Sequence, residues 1–287
     1  MSPVEEPVTG LHSRERLTGL REKLGSISIA TALAYLVLIL AVLWAVVPGL
    51  FSSYDPIASV PGQQLRAPSL IHFFGTDALG RDVFSRVVHG SVHSLSGAFI
   101  ATAVGFVVGT ALGLLSGSAG GIVDEIIMRI VDVLLSIPGL LLALTIIILL
   151  GFGTLNASIA VGVSAIAAFA RLMRSEVIRV RASDYVEAAI GSGGTLAKVL
   201  WRHVLPNALT SVVAFSALQF GSAILQLSTL SFLGYGAPPP TPEWGLLVAE
   251  GRNYVATAWW LTAAPGLVVV IVVLAANQIS KSMRSQR

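Results

Sequence analysis

Uncharged stretches long enough to cross a bilayer occur five times along this chain, at residues 24–54, 94–123, 133–170, 208–242 and 253–280. A hydrocarbon core of about 30 Å takes roughly 20 residues of α-helix. The third stretch as a single helix would run for about 57 Å, nearly twice that thickness. It therefore has to fold back, and GFGTLN at 151–156 supplies a glycine-rich turn. Six spans are predicted, near 27–50, 94–117, 128–150, 155–173, 208–233 and 256–280, in an all-α integral membrane protein.

Six crossings leave both termini on one side, and the Lys/Arg distribution chooses it. Arg14, Arg16, Arg21 and Lys23 precede the first span; Arg174, Arg179, Arg181, Lys198 and Arg202 follow the fourth; Lys281, Arg284 and Arg287 follow the last. Arg129 and Arg171 sit at span ends on the same side, leaving only Arg66, Arg81, Arg86 and Arg252 opposite. Both termini are thus expected in the cytoplasm. The organisation that follows is a cytoplasmic tail at 1–26, a first span at 27–50, an extracytoplasmic segment at 51–92, a five-helix core at 93–280 with a cytoplasmic loop at about 175–207, and a cytoplasmic tail at 281–287. The first apolar run is too long for a cleavable signal and reads as a retained span.

Composition agrees: 54% of the 287 residues are hydrophobic and 11% charged, with a mean hydropathy of +0.82. The lack of cysteine excludes disulfides, thiol catalysis and thiolate metal sites. Of the five histidines only His89 and His93 share a helical face, and the nearest carboxylate, Asp82, has Arg86 as its expected partner, so no metal site is expected. No catalytic residue or nucleic-acid partner is expected either. An intramembrane hydrolase would need a histidine in a late span, whereas the last one, His203, lies in a loop.

The cytoplasmic loop has its own pattern. Asp184 can cap a short helix, YVEAAI, with Glu187 returning a hydrogen bond as in a capping box. Gly191, Gly193 and Gly194 break it, and Thr195 can cap a second helix that Pro206 closes. Leu196, Val199, Leu200 and Val204 form one apolar face of that helix, extended by His203, with Lys198 and Arg202 off it. Such a helix–turn–helix could dock in a groove of a cytosolic partner or rest on the lipid surface.

Glu187, Ala188, Ala189, Gly193, Leu205 and Pro206 stand in the order and spacing of the E-A-A…G…L-P motif, and the chain here resembles the membrane subunits of binding-protein-dependent ABC importers. GTDALGRDVFSR (75–86), MRIVDVLLSIP (128–138), RASDYVEAA (181–189) and LSFLGYGAPPPTPEWG (230–245) are similar to the C-type permease subunit of the dipeptide/oligopeptide branch, over about residues 28–283. The resemblance implies a type I importer permease fold in the cytoplasmic membrane. It also implies a homologous permease partner, two cytosolic ATPase subunits that bind ATP and Mg, and an extracytoplasmic binding protein delivering peptides. Nickel, haem or another small solute is the alternative cargo, and an ATP-independent secondary transporter the alternative mechanism. Asp184, Glu187, Ala188, Ala189, Gly193, Leu205 and Pro206 would form the ATPase-coupling element, with the power supplied by the partners, since this chain has no G-x-x-x-x-G-K-[ST] loop. No residue is assigned to substrate binding.

Two departures stand out. The chain has GSG at 191–193 followed by GTL where members often have ALG and a carboxylate, and Leu227, beside Gln226 and Ser228, where many relatives carry Glu. On the extracytoplasmic side Thr76 can cap an interfacial helix with i,i+4 pairs Asp77–Arg81 and Asp82–Arg86 and an apolar face of Leu79, Val83, Phe84 and Val87. This helix could brace the bundle or touch the binding protein, and the Pro-rich 237–245 segment could be a lid or a rigid turn. Glu125, Arg129 and Asp132 share one face of the third span and are expected to neutralise one another. Gly/Ala/Ser-rich faces, including GTALGLLSGSAGG at 109–121, suit a partner permease.

Overall fold

The computed structural model describes residues 28–285, and expectations for the tail at 1–27 and for residues 286–287 lie outside it. Helix α1 (Ile29–Val46) is capped by Ser28, whose Oγ accepts from Thr31 N at 3.2 Å, and ends one residue before the turn at Pro48. An irregular segment then leads to α2 (Val83–Ala119). Helix α3 (Gly121–Ser136) and helix α4 (Gly139–Leu150) follow, bent 96° from each other. Next come α5 (Thr154–Arg181), α6 (Asp184–Gly191) and α7 (Leu196–Val199). A π-helical turn (Leu200–Val204) carries α7 into α8 (Leu205–Phe232), and α9 (Trp244–Gly251) and α10 (Trp260–Ser285) complete the chain. Among the described residues there is no strand, only an isolated bridge between Thr76 and Asp82.

Among the described residues five helices are long and apolar enough to cross a membrane, and the bent α3–α4 pair makes a sixth if it counts as one span. The third crossing differs from the expected straight 128–150 helix. Pro138 lacks the N–H a helix interior needs and biases Ile137 to extended backbone, so the helix breaks there. The turn at 151–156 is as expected: Gly151 and Gly153 adopt φ of 90° and 128°, and Asn156 Nδ2 donates to the carbonyls of Leu150 and Gly151 at 3.0 and 3.1 Å.

The tightest seam joins α2 to α5 along Gly105, Gly109, Gly113 and Gly117, spaced one per helical turn. A Cβ on Gly109 would stand 2.5 Å from Phe169 Cβ and 2.6 Å from the Ile166 carbonyl; one on Gly117 would stand 2.9 Å from Val177 Cβ. Only glycine lets the two backbones approach this closely. The Gly-rich face expected to meet a partner permease is therefore used inside this chain, at least from Gly109 to Gly117.

Two apolar cores flank that seam. The larger gathers residues of α1, α2, α4, α5, α8, α9 and α10, including the fully buried Trp244, whose Nε1 donates to Val87 O at 2.9 Å. The smaller joins Phe169, Met173, Val177 and Val180 of α5 to Val186 of α6, Val199 of α7 and Val204, Ala208 and Val212 beyond it. It fixes the α6–α7 hairpin to the end of α5.

Candidate functional site

Helix α6 starts where the extended Ser183 (φ −89°, ψ 146°) releases the chain from α5. Ser183 occupies the cap position without a side-chain bond to the helix; its Oγ instead donates to Val180 O at 2.6 Å. The expected capping box does not form, because Asp184 is already the first helical residue. Asp184 and Glu187 both lie in the first turn, exposed, where carboxylates meet the positive end of the helix dipole.

The exit from α6 is the turn the sequence requires. Gly193 has φ +87°. Its N–H bonds to Ile190 O at 2.9 Å, and the Gly194 N–H to Ala189 O at 3.1 Å. These are the paired bonds of a Schellman motif with glycine at the left-handed position. Thr195, in extended backbone, then begins α7 without a side-chain cap bond.

Pro206 does not close the second helix; it rides in the first turn of α8, which continues to Phe232. The π turn makes this possible. Leu205 N–H reaches back five residues to Leu200 O, giving the local widening that accommodates a ring with no N–H to donate. Val199 and Val204 face inward as expected, but Leu196, assigned to the same face, is 63% exposed. Glu187, Ala188, Gly193 and Pro206 are exposed and Ala189 and Leu205 half-buried, beside exposed Tyr185, Ile190 and Trp201. One outer surface thus carries carboxylates, backbone and apolar side chains.

Ion pairs anchor the helices beneath it. Arg174 Nε and Nη2 each lie 2.6 Å from Asp124, to which Ser116 Oγ also donates. Arg181 Nη1 donates to the carbonyls of Gly117 and Ser118 at 2.8 and 2.7 Å. The expected Glu125–Arg129–Asp132 network forms only in part. Arg129 meets Glu125 at 3.3 Å in the open, while Asp132 pairs with Arg171 across on α5. The sequence reading missed Asp124 and Arg174 because neither has a charged partner at helical spacing.

At the far end of α2 the expected interfacial helix is absent. Asp82 caps α2, accepting from Ser85 N at 2.6 Å, and is also bound by His72 Nδ1 at 2.9 Å. Thr76 Oγ1 donates to the Gln63 carbonyl instead of capping. Asp77 and Arg81 do pair, at 2.6 Å. Arg86, however, leaves Asp82 and binds Asp77 at 2.9 Å and Glu250 of α9 at 2.6 Å.

The Pro-rich segment ends at buried Glu243, which caps α9 through the N–H groups of Gly245 and Leu246, both at 3.1 Å. Burial pushes its carboxyl above the ordinary value, only partly offset by bonds from Ser231, Gly245, Leu246 and Ser94. Leu227 is packed in the larger core, and its neighbour Gln226 keeps a buried Oε1 without a partner. Among the described residues no three metal-ligating side chains gather; His89 Nδ1 bonds to Ser85 O at 2.9 Å.

Comparison with known proteins gives this arrangement a family. Residues 109–284 match the family described as "Binding-protein-dependent transport system inner membrane component". The chain is 37% identical over 243 residues to the dipeptide transport system permease protein DppC of Alkalihalophilus pseudofirmus, covering 85% of this chain and 80% of that one. It is 45% identical over 217 residues to the glutathione transport system permease protein GsiD of Shigella flexneri, covering 76% and 72%. In fold it is similar to a chain of the MetNI methionine ABC transporter in inward-facing conformations, with a TM-score of 0.56 at 19% identity, over 69% of this chain and 96% of that one. An amino acid ABC transporter also gives 0.56 at 15% identity, over 71% and 95%. With five or six helical crossings among the described residues, a surface hairpin on a glycine-locked helix pair and matches that span most of its length, the chain belongs to the family of binding-protein-dependent transport system inner membrane components.

Proposed function

We propose that this chain is the permease subunit of an ATP-driven peptide importer in the cytoplasmic membrane. It forms the translocation pathway with a homologous permease. Two cytosolic ATPase subunits, which bind ATP and Mg, engage the α6–α7 hairpin, and an extracytoplasmic binding protein delivers the ligand. The termini and residues 175–207 face the cytoplasm and residues 51–92 the outside. Supporting the peptide cargo are the names of the relatives. Supporting the coupling role is one observation above all: Glu187, Ala188 and Gly193 are exposed on a hairpin whose inner side is fixed to α5. Closure of the ATPases would move that hairpin and rock the spans between inward- and outward-facing states.

The test uses the full complex. Gly193→Val forces a β-branched residue into positive φ and should misaim α6 without touching a span. Glu187→Lys reverses a charge on its outer face. Both should lose bound ATPase or uncouple hydrolysis from uptake, while Lys198→Ala stays near wild type. Full uptake with ATPases bound in the first two variants would remove the coupling role.

A further inference from the structure

The third crossing is broken at its centre. Gly139 is the middle residue of the span expected at 128–150, and a Cβ on it would stand 3.8 Å from Ser164 Oγ, on the middle residue of the span expected at 155–173. By both counts the break lies near the bilayer midplane. Ile137 there is extended (φ −93°, ψ 128°), and Pro138 has φ −54° and ψ 127°. The first bond of α4 runs from Leu142 N to Pro138 O at 3.0 Å, and the N–H groups of Ile137, Gly139, Leu140 and Leu141 have no partner among the described residues. Ser136, Ile137, Pro138 and Gly139 are nevertheless exposed.

Lipid does not suit such a surface. An unsatisfied main-chain donor is costly in hydrocarbon, and irregular backbone at this depth occurs only where protein covers it or water reaches it. The surroundings favour water. Toward the cytoplasmic end the exposed surface continues as a groove of about 730 Å³ that begins at Leu135 and carries Arg171, Ser175 and Glu176 of α5 and Ser211 of α8. Arg171 and its ion-pair partner Asp132 keep 56% and 63% of their side chains exposed. Charges left this open are hydrated, because a dry helix contact would impose their desolvation. Broken backbone and charged groove thus make one continuous polar surface from the midplane to the cytoplasmic end. Helix α10 offers the contrast, with Leu267, Val270 and Ile271 exposed near the middle of its own span.

We propose that the break at 136–139 and the groove below it form the wall of a water-filled cleft, open to the cytoplasm, along which a hydrophilic solute passes. That solute passes here rests on the transport reading above; that water reaches the break does not.

Ser136→Cys, Gly139→Cys and Leu267→Cys would be made in the cysteine-free full chain, with its partner subunits, in everted membrane vesicles without ATP. The probe is the impermeant cation 2-(trimethylammonium)ethyl methanethiosulfonate. A Cβ at Gly139 meets no atom nearer than 3.7 Å, so the substitution fits. Thiols react as thiolates, which form in water and not in apolar surroundings, so the two break positions should be modified at least about tenfold faster than Leu267→Cys. Modification at either should then abolish ATP-driven uptake of glycylglycine while the ATPases stay bound. Co-purification of the partner subunits checks that each variant is assembled, and one assembled variant of the two suffices. Labelling no faster than at Leu267→Cys overturns the cleft, and fast labelling with unchanged uptake overturns its use by solute. Wild-type vesicles that take up no glycylglycine contradict the peptide reading instead, and the labelling rates still decide whether the break faces water.

Discussion

Arg174 grips Asp124 with two nitrogens, Nε and Nη2, each 2.6 Å from a different carboxylate oxygen, and thereby ties α3 to α5. Val131, packed with Ala167 and Ala170, and the Asp132–Arg171 pair hold the same two helices together, so the fork is one of three attachments. Asp124→Asn keeps the shape but removes the charge, and should lower stability by about 1–2 kcal/mol. Arg174→Lys should cost a similar amount, because an ammonium cannot form the fork. Thermal melts in detergent measure both; an unchanged midpoint for either would show that α3 is held by other means.

The glycine seam gives a contrast between two alanine substitutions. Gly109→Ala places a methyl 2.5 Å from Phe169 Cβ and should destabilise by about 1–3 kcal/mol through overpacking. Gly266→Ala meets no atom within 4 Å and should be neutral or stabilise by up to about 1 kcal/mol through helix propensity. Equal midpoints for the two variants would contradict the close approach of α2 and α5.

Glu243 predicts a pH dependence. Its carboxyl is held above the ordinary value of 4.5 by burial. Between that value and the raised native one, the folded chain keeps a proton that the unfolded chain has released. Stability contributed by this group is therefore fully present below the ordinary value and falls as pH rises through the window. Glu243→Gln should flatten that part of the melting-temperature profile while keeping an acceptor for the α9 cap. A profile of the same slope in the variant would assign the dependence to other groups.

The chain has no cysteine, so its sidedness can be read with single replacements. Both Ser53 and Ser192 are exposed. Ser53→Cys should react with an impermeant maleimide on intact cells, and Ser192→Cys only after permeabilisation. The reverse pattern would invert the topology.

Spans and turns whose causes are local were legible in the sequence. Uncharged length located the crossings, and Gly151, Gly153 and Gly193 marked turns that need positive φ. Features set by tertiary partners were not. Asp77–Arg81 and Asp82–Arg86 have the spacing of a charged helix, yet Asp77 and Glu250, the latter far along the chain, hold Arg86 instead, and the helix begins only at Val83. Pro206 was expected to close a helix, yet the prolines of this chain have three outcomes. Pro48 starts a turn after a helix, Pro138 breaks one, and Pro206 is absorbed by the π turn. The Gly109–Gly117 stripe announced close packing but not with which helix, since any small-residue face fits another helix equally well. The Glu187 segment was recognised by its motif, whereas Glu243 and the Asp124–Arg174 pair emerge only once distant elements are side by side.

The α2–α5 seam has a mechanical consequence. Two helices interlocked with α5 side chains seated on the glycines of α2 bend together and resist sliding, so they behave as one stiff lever. Helix α2 has 37 residues and is therefore about 55 Å long. Tilting such a rod by about 10° about one end carries the other through about 10 Å, by its length alone. One end bears α6, through Arg181 and the smaller core; the other bears Arg86 and its carboxylates. If the hairpin is pushed as proposed above, this rod would carry the motion from its Gly117 end to its Arg86 end.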